Sequence, residues 1–137
     1  MNKNNIDCEE KFKKLVKGLV FAVAAIHTPI EQKLVVHRDI RLENVLVKID
    51  ESGEPFLILA DFGGSLIIHE SECDDKQKED IWSVGCVVDE MWEKYNGAST
   101  FPSNIGNELN DFLNCCFNKE MKERWSAKQL LNHKFLN

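Results

Sequence analysis

Apolar residues recur every three or four positions between residues 9 and 27, and this pattern predicts an amphipathic helix. A helical period places such residues on one face, which we expect to be buried. Thr28 precedes Pro29, and a residue before proline is driven out of the helical region, so the helix should end at His27. The predicted buried face consists of Phe12, Leu15, Val16, Leu19, Val20, Val23 and Ile26.

The segment after this helix carries short apolar runs that predict β structure. Residues 34–36 are interpreted as a short strand or the entry to a loop. Residues 45–49 and 56–60 are two β-like runs joined by a segment rich in turn residues, which predicts a β-hairpin. Residues 69–79 are charged and have no periodicity, so we expect an exposed loop there.

The second half of the chain predicts three further helices. Asp80 is a favourable N-cap for an apolar helical series, and Gly97 is the expected end of that helix. Ser126 is the expected N-cap of the last helix. The expected boundaries are a helix from Asp80 to Gly97, a loop over residues 96–107, a helix over residues 108–117 and a helix over residues 126–132.

These elements predict a mainly α (α+β) fold, a helical bundle that carries a small β-hairpin. The length of 137 residues, with 43% hydrophobic content, is that of one ordinary domain with a core. We therefore expect one domain over residues 9–137. The polar segment over residues 1–8 is expected to be disordered, because it has little to bury against a core.

Charge, hydropathy and cysteine usage restrict the class of partner and compartment. The formal charge is −6 and no basic cluster is present, so neither nucleic acid nor an anionic membrane is expected as a partner. The longest apolar run, residues 18–26, is shorter than the roughly 20 residues that cross a bilayer. Five cysteines form an odd set without CxxC spacing, which favours reduced thiols over disulfides or a zinc site. We therefore expect an intracellular protein, located in the cytoplasm.

Four short motifs carry the candidate chemistry. His37-Arg38-Asp39-Ile40-Arg41-Leu42-Glu43-Asn44 follows the first helix, and Asp61-Phe62-Gly63 follows the predicted hairpin. Asp80-Ile81-Trp82-Ser83-Val84-Gly85 opens the next helix, and Arg124 precedes the terminal one. In this order and context they resemble the HRDxxxxN loop, the DFG motif, the start of the F helix and the closing arginine of the eukaryotic protein kinase family. The resemblance covers residues 9–136 and is to the C-terminal lobe, with a serine/threonine-like loop.

The resemblance implies a role for each motif residue in ATP-dependent phosphorylation of protein hydroxyls. Asp39 would accept the proton of the substrate hydroxyl, and Asn44 and Asp61 would hold magnesium ions on ATP. Arg41 stands where serine/threonine kinases usually carry lysine, so it would contact the nucleotide phosphate with a different reach and geometry. The implied catalytic set is Asp39, Arg41 and Asn44, the ATP-binding set is Arg41, Asn44 and Asp61, and the metal ligands are Asn44 and Asp61.

The sequence also departs from the family pattern. The eight residues before Glu9 leave no place for the glycine-rich loop, the β3 lysine or the αC glutamate, so we expect the N-lobe to be absent. Residues 62–79 contain no Ala-Pro-Glu motif, so the activation segment is shortened, and residues 102–108 leave no room for a G helix. In the family, the arginine at the position of Arg124 pairs with the glutamate of the Ala-Pro-Glu motif. Because that motif is missing, Arg124 should be exposed or paired with an acid from residues 70–79.

Three functional readings stay open at this point. The first is an incomplete kinase lobe that is inactive or weakly active alone, with weak or absent binding of ATP and Mg²⁺. The second is a non-catalytic, pseudokinase-like interaction module. The third is a truncated gene product. The expected partner of such a module is a protein: a kinase, an N-lobe-bearing chain or a regulator. His27, His69 and His133 lack adjacent ligand residues and are interpreted as surface or helix-end histidines.

Overall fold

The computed structural model describes residues 3–96 and 103–137, and within them the side chains of residues 9–94 and 105–137. Within these ranges, four α-helices and four short strands form the fold. The helices are α1 (Lys3–His27), α2 (Glu79–Asn96), α3 (Ser103–Cys116) and α4 (Ala127–Leu131), and the strands are β1 (Lys33–Val36), β2 (Val45–Ile49), β3 (Pro55–Leu59) and β4 (Leu66–His69).

The predicted mainly α architecture with a small hairpin is confirmed. Strands β2 and β3 pair antiparallel, with Val45 opposite Leu59, and form the predicted hairpin. Its turn is built by Asp50, whose Oδ1 accepts the backbone N–H groups of Ser52 and Glu54, both at 2.9 Å. Gly53 has a φ of +86°, a conformation that glycine adopts without the steric cost of a Cβ atom.

A second antiparallel pair, β1 with β4, differs from the sequence prediction. The register sets Leu34 opposite Ile68. The exposed loop predicted over residues 69–79 is wrong in part, because His69 ends β4 and two 3₁₀ turns follow, Glu70–Glu72 and Lys76–Lys78. A strand of four residues depends on its partner more than on its own composition, and that partner lies more than thirty residues earlier in the sequence.

Helix α1 forms the centre of the core. Its predicted apolar face is buried except for Ile26, which is partly exposed, and Phe12 packs against Phe135 with ring centroids 6.1 Å apart. The helix starts at Lys3, six residues before the predicted start, and residues 3–8 contain neither proline nor glycine that would stop it. Residues 1–2 lie outside the described part, and the division of the chain at residue 9 stays a prediction.

Helices α2 and α3 begin earlier than predicted. Helix α2 begins at Glu79, so Asp80 lies within its first turn rather than at the N-cap, and the prediction of that cap is wrong. Helix α3 begins at Ser103, so the loop predicted over residues 96–107 is wrong for its last five residues. Gly97, the predicted end of α2, lies outside the described residues.

Close packing joins these two helices at one glycine. A Cβ atom on Gly85 would lie 2.8 Å from the Cβ of Cys116 and 2.7 Å from the ring of Phe117, so only glycine fits there without a shift of α3. Helix α4 has the predicted N-cap: Ser126 Oγ accepts the N–H of Gln129, and Gln129 Oε1 accepts the N–H of Ser126. Of the helices in the described ranges, none is long and apolar enough to cross a bilayer.

Candidate active site

Asp80 anchors the candidate catalytic loop to the first turn of α2. The residue is 1% exposed. Its Oδ2 accepts the backbone N–H of His37 at 2.8 Å, and its Oδ1 accepts that of Arg38 at 2.9 Å. Arg38 has a φ of +73°, a region that costs a non-glycine residue about 1–3 kcal/mol, and the Asp80 carboxylate holds it there. Asp80 therefore holds the backbone of the candidate catalytic loop in place.

His27 is a second partner of this carboxylate. Its Nε2 lies 2.8 Å from Asp80 Oδ2, and its side chain is 8% exposed. His27 is therefore at a helix end, as predicted, but it is buried against a carboxylate, so its interpretation as a residue without a partner is wrong. The two residues are 53 positions apart, and no local pattern in the sequence connects them.

His37 ties the loop to the chain that precedes Asp61. Its Nδ1 accepts the backbone N–H of Asp39 at 3.1 Å, which leaves the proton on Nε2, and Nε2 donates to the carbonyl of Ala60 at 2.8 Å. The ring of Phe62 stands edge-on to the fully buried imidazole, with centroids 4.6 Å apart. His37 and Phe62 thus pack against each other.

Asp39 and Asn44 meet directly. Asn44 Nδ2 donates to the Asp39 carbonyl at 2.7 Å and to Asp39 Oδ2 at 3.0 Å. The backbone of Asn44 is held too, because its N–H donates to the Arg41 carbonyl and its own carbonyl accepts the N–H of Ala60 at 2.8 Å. Asn44 is buried and Asp39 half-buried, so one oxygen of the Asp39 carboxylate faces the surface while the other is fixed.

Arg41 lies beside the same carboxylate on its open side. Its Nε is 3.4 Å from Asp39 Oδ1 and 4.0 Å from Glu43 Oε2. The side chains of Arg41 and Glu43 are largely exposed and that of Asp39 is partly exposed, and ion pairs of this kind contribute about 0–1 kcal/mol. Arg41 is therefore held loosely, and a phosphate group could replace Asp39 as its partner.

Asp61 follows Ala60 and completes the set of candidate ligands. It is exposed, has a φ of +58°, and its Oδ1 accepts the N–H of Gly63 at 3.3 Å. The described residues include no cluster of three or more His, Cys, Asp or Glu that could hold a metal ion. By donor type, the amide oxygen of Asn44 and the carboxylate of Asp61 are hard oxygen ligands of the kind that Mg²⁺ binds while phosphate and water fill its other positions.

Comparison with known proteins identifies the class to which this loop belongs. A probable serine/threonine-protein kinase of Dictyostelium discoideum is 30% identical over 89% of the chain, and mitogen-activated protein kinase kinase kinase A of the same organism is 30% identical over 90%. The chain is homologous to protein kinases. It spans 23% and 16% of the lengths of these two relatives, and no protein-family model matches it.

Solved structures place the fold in the same class. The crystal structure of the Rad53 kinase domain and SCD2 superimposes with a TM-score of 0.66 at 18% identity, over 94% of this chain and 56% of that one. The same domain in complex with AMPPNP matches with the same score. At this identity the likeness shows the fold alone, which is that of a mainly α, kinase-like lobe.

Arg124, the last arginine of the chain, is held in the kinase-like lobe without a carboxylate partner. Arg124 is buried; its Nη1 donates to the Lys78 carbonyl at 2.8 Å, its Nε donates to the Asn118 carbonyl at 2.9 Å, and its guanidinium lies 5.2 Å from the centre of the Trp82 ring. No acid in the described part of the lobe forms an ion pair with it. The prediction of an exposed or acid-paired Arg124 is therefore wrong, because two carbonyls and an aromatic face take the place of the acid.

Proposed function

We propose that this chain supplies the catalytic loop and the metal ligands of an ATP-dependent protein serine/threonine kinase site, and that its 137 residues alone transfer phosphate weakly or not at all. The hydrogen bond from Asn44 Nδ2 to Asp39 Oδ2 carries the proposal, because it orients a base and a metal ligand together. An interaction module has no need of this pair.

The reaction requires positioning more than covalent chemistry, and the loop offers it. Asp39 would orient a substrate hydroxyl and take its proton on the oxygen that Asn44 does not hold. Asn44, whose amide nitrogen is bound to Asp39, has its Oδ1 available for a cation, and Asp61 presents its carboxylate at the surface. Mg²⁺, when bound with ATP, would neutralise charge on the transferring phosphate.

The expectation of weak activity rests on what these residues do not contain. A positioned base contributes about 10²- to 10⁴-fold, but only when the nucleotide is held in an attacking geometry. The sequence printed here has no glycine-rich loop or strand lysine to hold the phosphates from above. That cover would have to come from another segment, on the same polypeptide or on a second chain.

A second candidate, the non-catalytic interaction module, is favoured by the apolar surface of the hairpin. Leu46, Phe56 and Ile58 share one face of the β2–β3 hairpin and are exposed although they are large and apolar. Contiguous apolar surface of this kind marks a contact with another protein segment. A kinase, an N-lobe-bearing chain or a regulator could cover it in either function, so this surface does not itself decide between them.

A chimera separates the two functions. The N-lobe of a related kinase would be joined before residue 9, and transfer of labelled γ-phosphate from ATP would be measured. We expect transfer by the chimera, and a loss of about 10²- to 10⁴-fold in Asp39→Asn and a comparable loss in Asp61→Asn. Asp89→Asn, an exposed carboxylate on α2, is the matched control and should retain full activity.

Two results would contradict the proposal. A folded chimera that binds ATP but shows no transfer above the Asp39→Asn level would assign the chain to the non-catalytic class. Robust transfer by the 137 residues alone, abolished by Asp39→Asn, would refute the dependence on a covering segment.

A further inference from the structure

A groove lies between the C-terminal half of α1 and helix α4, and we name it the α1–α4 groove. Its larger part has a volume of about 240 Å³ and adjoins a second hollow of about 170 Å³ that reaches His27. Ala24, Thr28 and Lys128 line both parts, so the two are continuous. The residues that line the larger part are Phe21, Ala24, Ala25, Thr28, Lys128 and Leu131.

The groove has an apolar wall and a shallow floor. Phe21 is 67% exposed, although its neighbours Val20 and Val23 are completely buried in the core. Ala24 and Ala25 beside it are small, which allows another backbone to approach α1 closely. A large exposed aromatic side chain next to a hollow is the arrangement that receives an apolar anchor from a partner.

The secondary structure of the walls favours a helical occupant. Neither wall is a β-strand: α1 is a helix of 25 residues, and α4 is a helix of five residues whose N-terminus is capped by Ser126. The groove therefore offers no strand edge to an extended peptide, which would bring its own unpaired backbone groups. A helix satisfies its own backbone and packs by side chains alone, so it suits these walls.

Charge distinguishes this groove from the rest of the chain. Residues 21–28 and 126–131, which form its helical walls, contain no aspartate or glutamate, although the chain as a whole has a net charge of −6. Gln77 lines the hollow at His27 as well. Lys17 lies one helical turn before Phe21 on the exposed side of α1, and Lys128 lines the groove opposite. Two cations thus flank the apolar wall without a carboxylate of the walls to neutralise them.

We propose that the α1–α4 groove docks an acidic amphipathic helix of a partner protein. An apolar side chain of that helix would pack between Phe21 and Leu131 over the alanine floor. Its carboxylates would face Lys17 and Lys128, where charge complementarity selects acidic partners over basic ones. This docking role does not depend on whether the catalytic loop transfers phosphate.

The test is a selection from a displayed library of helical peptides. Each peptide has about 16 residues, with apolar residues fixed at i, i+3, i+4 and i+7 spacing and with Glu, Lys, Gln or Ser at the other positions. We expect the selected pool to be enriched in Glu. Fluorescence anisotropy of the selected peptides should then give affinities that fall at least about tenfold in Phe21→Ser and in Lys17→Glu/Lys128→Glu.

Matched controls distinguish this surface from general stickiness. Ile67→Ser removes an apolar residue that is 66% exposed on β4, and Lys119→Glu reverses an exposed charge outside the walls. Both variants should bind the selected peptides like the parent chain. Circular dichroism should show that Phe21→Ser keeps its fold, since the side chain that it removes is mostly outside the core.

The proposal fails in three ways. A pool enriched in Lys, a selection that yields no binder, or affinities that Phe21→Ser leaves unchanged would each overturn it. Self-association of the chain in sedimentation experiments that Phe21→Ser removes would assign the groove to a second copy instead. Loss of phosphate transfer in the chimera described above would leave this result untouched.

Discussion

Two carboxylates, Asp80 and Asp61, show how differently two parts of the lobe are built. We call the four helices, with the segment that joins α3 to α4, the lower part and the loops at residues 37–44 and 60–63 the upper part. Asp80, below the catalytic loop, is buried and receives three hydrogen-bonding partners from two other segments. Asp61, above the loop, is exposed and accepts one long hydrogen bond from its own turn. The polar groups of the lower part are satisfied by its own contacts, whereas the upper part exposes the groups that the proposed function assigns to metal and nucleotide.

The same contrast appears in the two arginines. Arg124 in the lower part is buried and saturated by carbonyls and a ring, while Arg41 in the upper part shares a long contact with Asp39. Buried polar groups contribute strongly when they are satisfied and cost much when a partner is lost. Mutations in the lower part should therefore change stability, and mutations in the upper part should change function.

The largest expected effect on stability is that of Asp80→Ala. The substitution leaves the buried N–H group of His37 without an acceptor, at about 1–3 kcal/mol, leaves the part-buried N–H group of Arg38 without one at a smaller cost, and removes the partner of His27. We expect the free energy of unfolding in urea to fall by about 3 kcal/mol or more. Asp89→Ala, on the exposed side of the same helix, should change it by less than about 0.5 kcal/mol. Equal midpoints for the two variants would contradict the anchoring role of Asp80.

Two glycines give a pair of opposite predictions. Gly85→Ala would push a methyl group against Cys116 and Phe117, and overpacking of this kind costs about 1–3 kcal/mol. Gly106→Ala, in α3, meets no atom within 4 Å and should stabilise the lobe by about 0.5–1 kcal/mol, because alanine favours the helix. Urea unfolding of both variants tests the close packing of α2 on α3, and the same sign for both would contradict it.

A smaller effect should appear on acidification, through His133. Burial lowers the pKa of this imidazole below its usual 6.5, an effect that the nearby Asp111 partly opposes. Its Nδ1 accepts the N–H of Phe135 at 3.0 Å, which requires the unprotonated ring nitrogen. The unfolded state thus binds more protons as the pH falls through 6.5 toward the folded pKa, so the free energy of unfolding should decrease over that range.

His133→Gln should reduce this slope, because it removes the group whose pKa changes on folding. His69→Gln is the matched control, since His69 lies at the surface near Gln32 and Ser71. Urea unfolding at about pH 7.5 and about pH 5.5, above the range in which most carboxylates titrate, gives the comparison. A slope that His133→Gln leaves intact would assign the pH dependence to other groups.

The sequence predicted the parts of the fold that depend on local pattern. Helix α1 follows from the spacing of its apolar residues from Phe12 to Ile26, and the hairpin follows from the turn at Asp50 and Gly53. The order of the motifs located the loop from His37 to Asn44, and the structure brings Asp39 and Asn44 into contact there. Their roles in phosphate transfer remain predictions.

The features that the sequence did not predict depend on distant partners. Strand β4 exists through its pairing with β1, and the contact of His27 with Asp80 joins residues 53 positions apart. Gly106 favoured a loop, but α3 continues through it because Ile105 and Leu109 are buried in the core. Tertiary packing overrides local propensity at each of these positions.

The smallest expected effect on stability is that of Arg41→Ala, in the upper part. The side chain is mostly exposed and its contacts with Asp39 and Glu43 are long, so the free energy of unfolding should change by less than about 1 kcal/mol. Arg124→Ala should cost more than about 2 kcal/mol, because it leaves the carbonyls of Lys78 and Asn118 without their charged donor. Parallel urea unfolding of the two arginine variants tests this difference between the lower and upper parts. If Arg41→Ala lowered the free energy of unfolding as much as Arg124→Ala, the upper part would also depend on its own contacts.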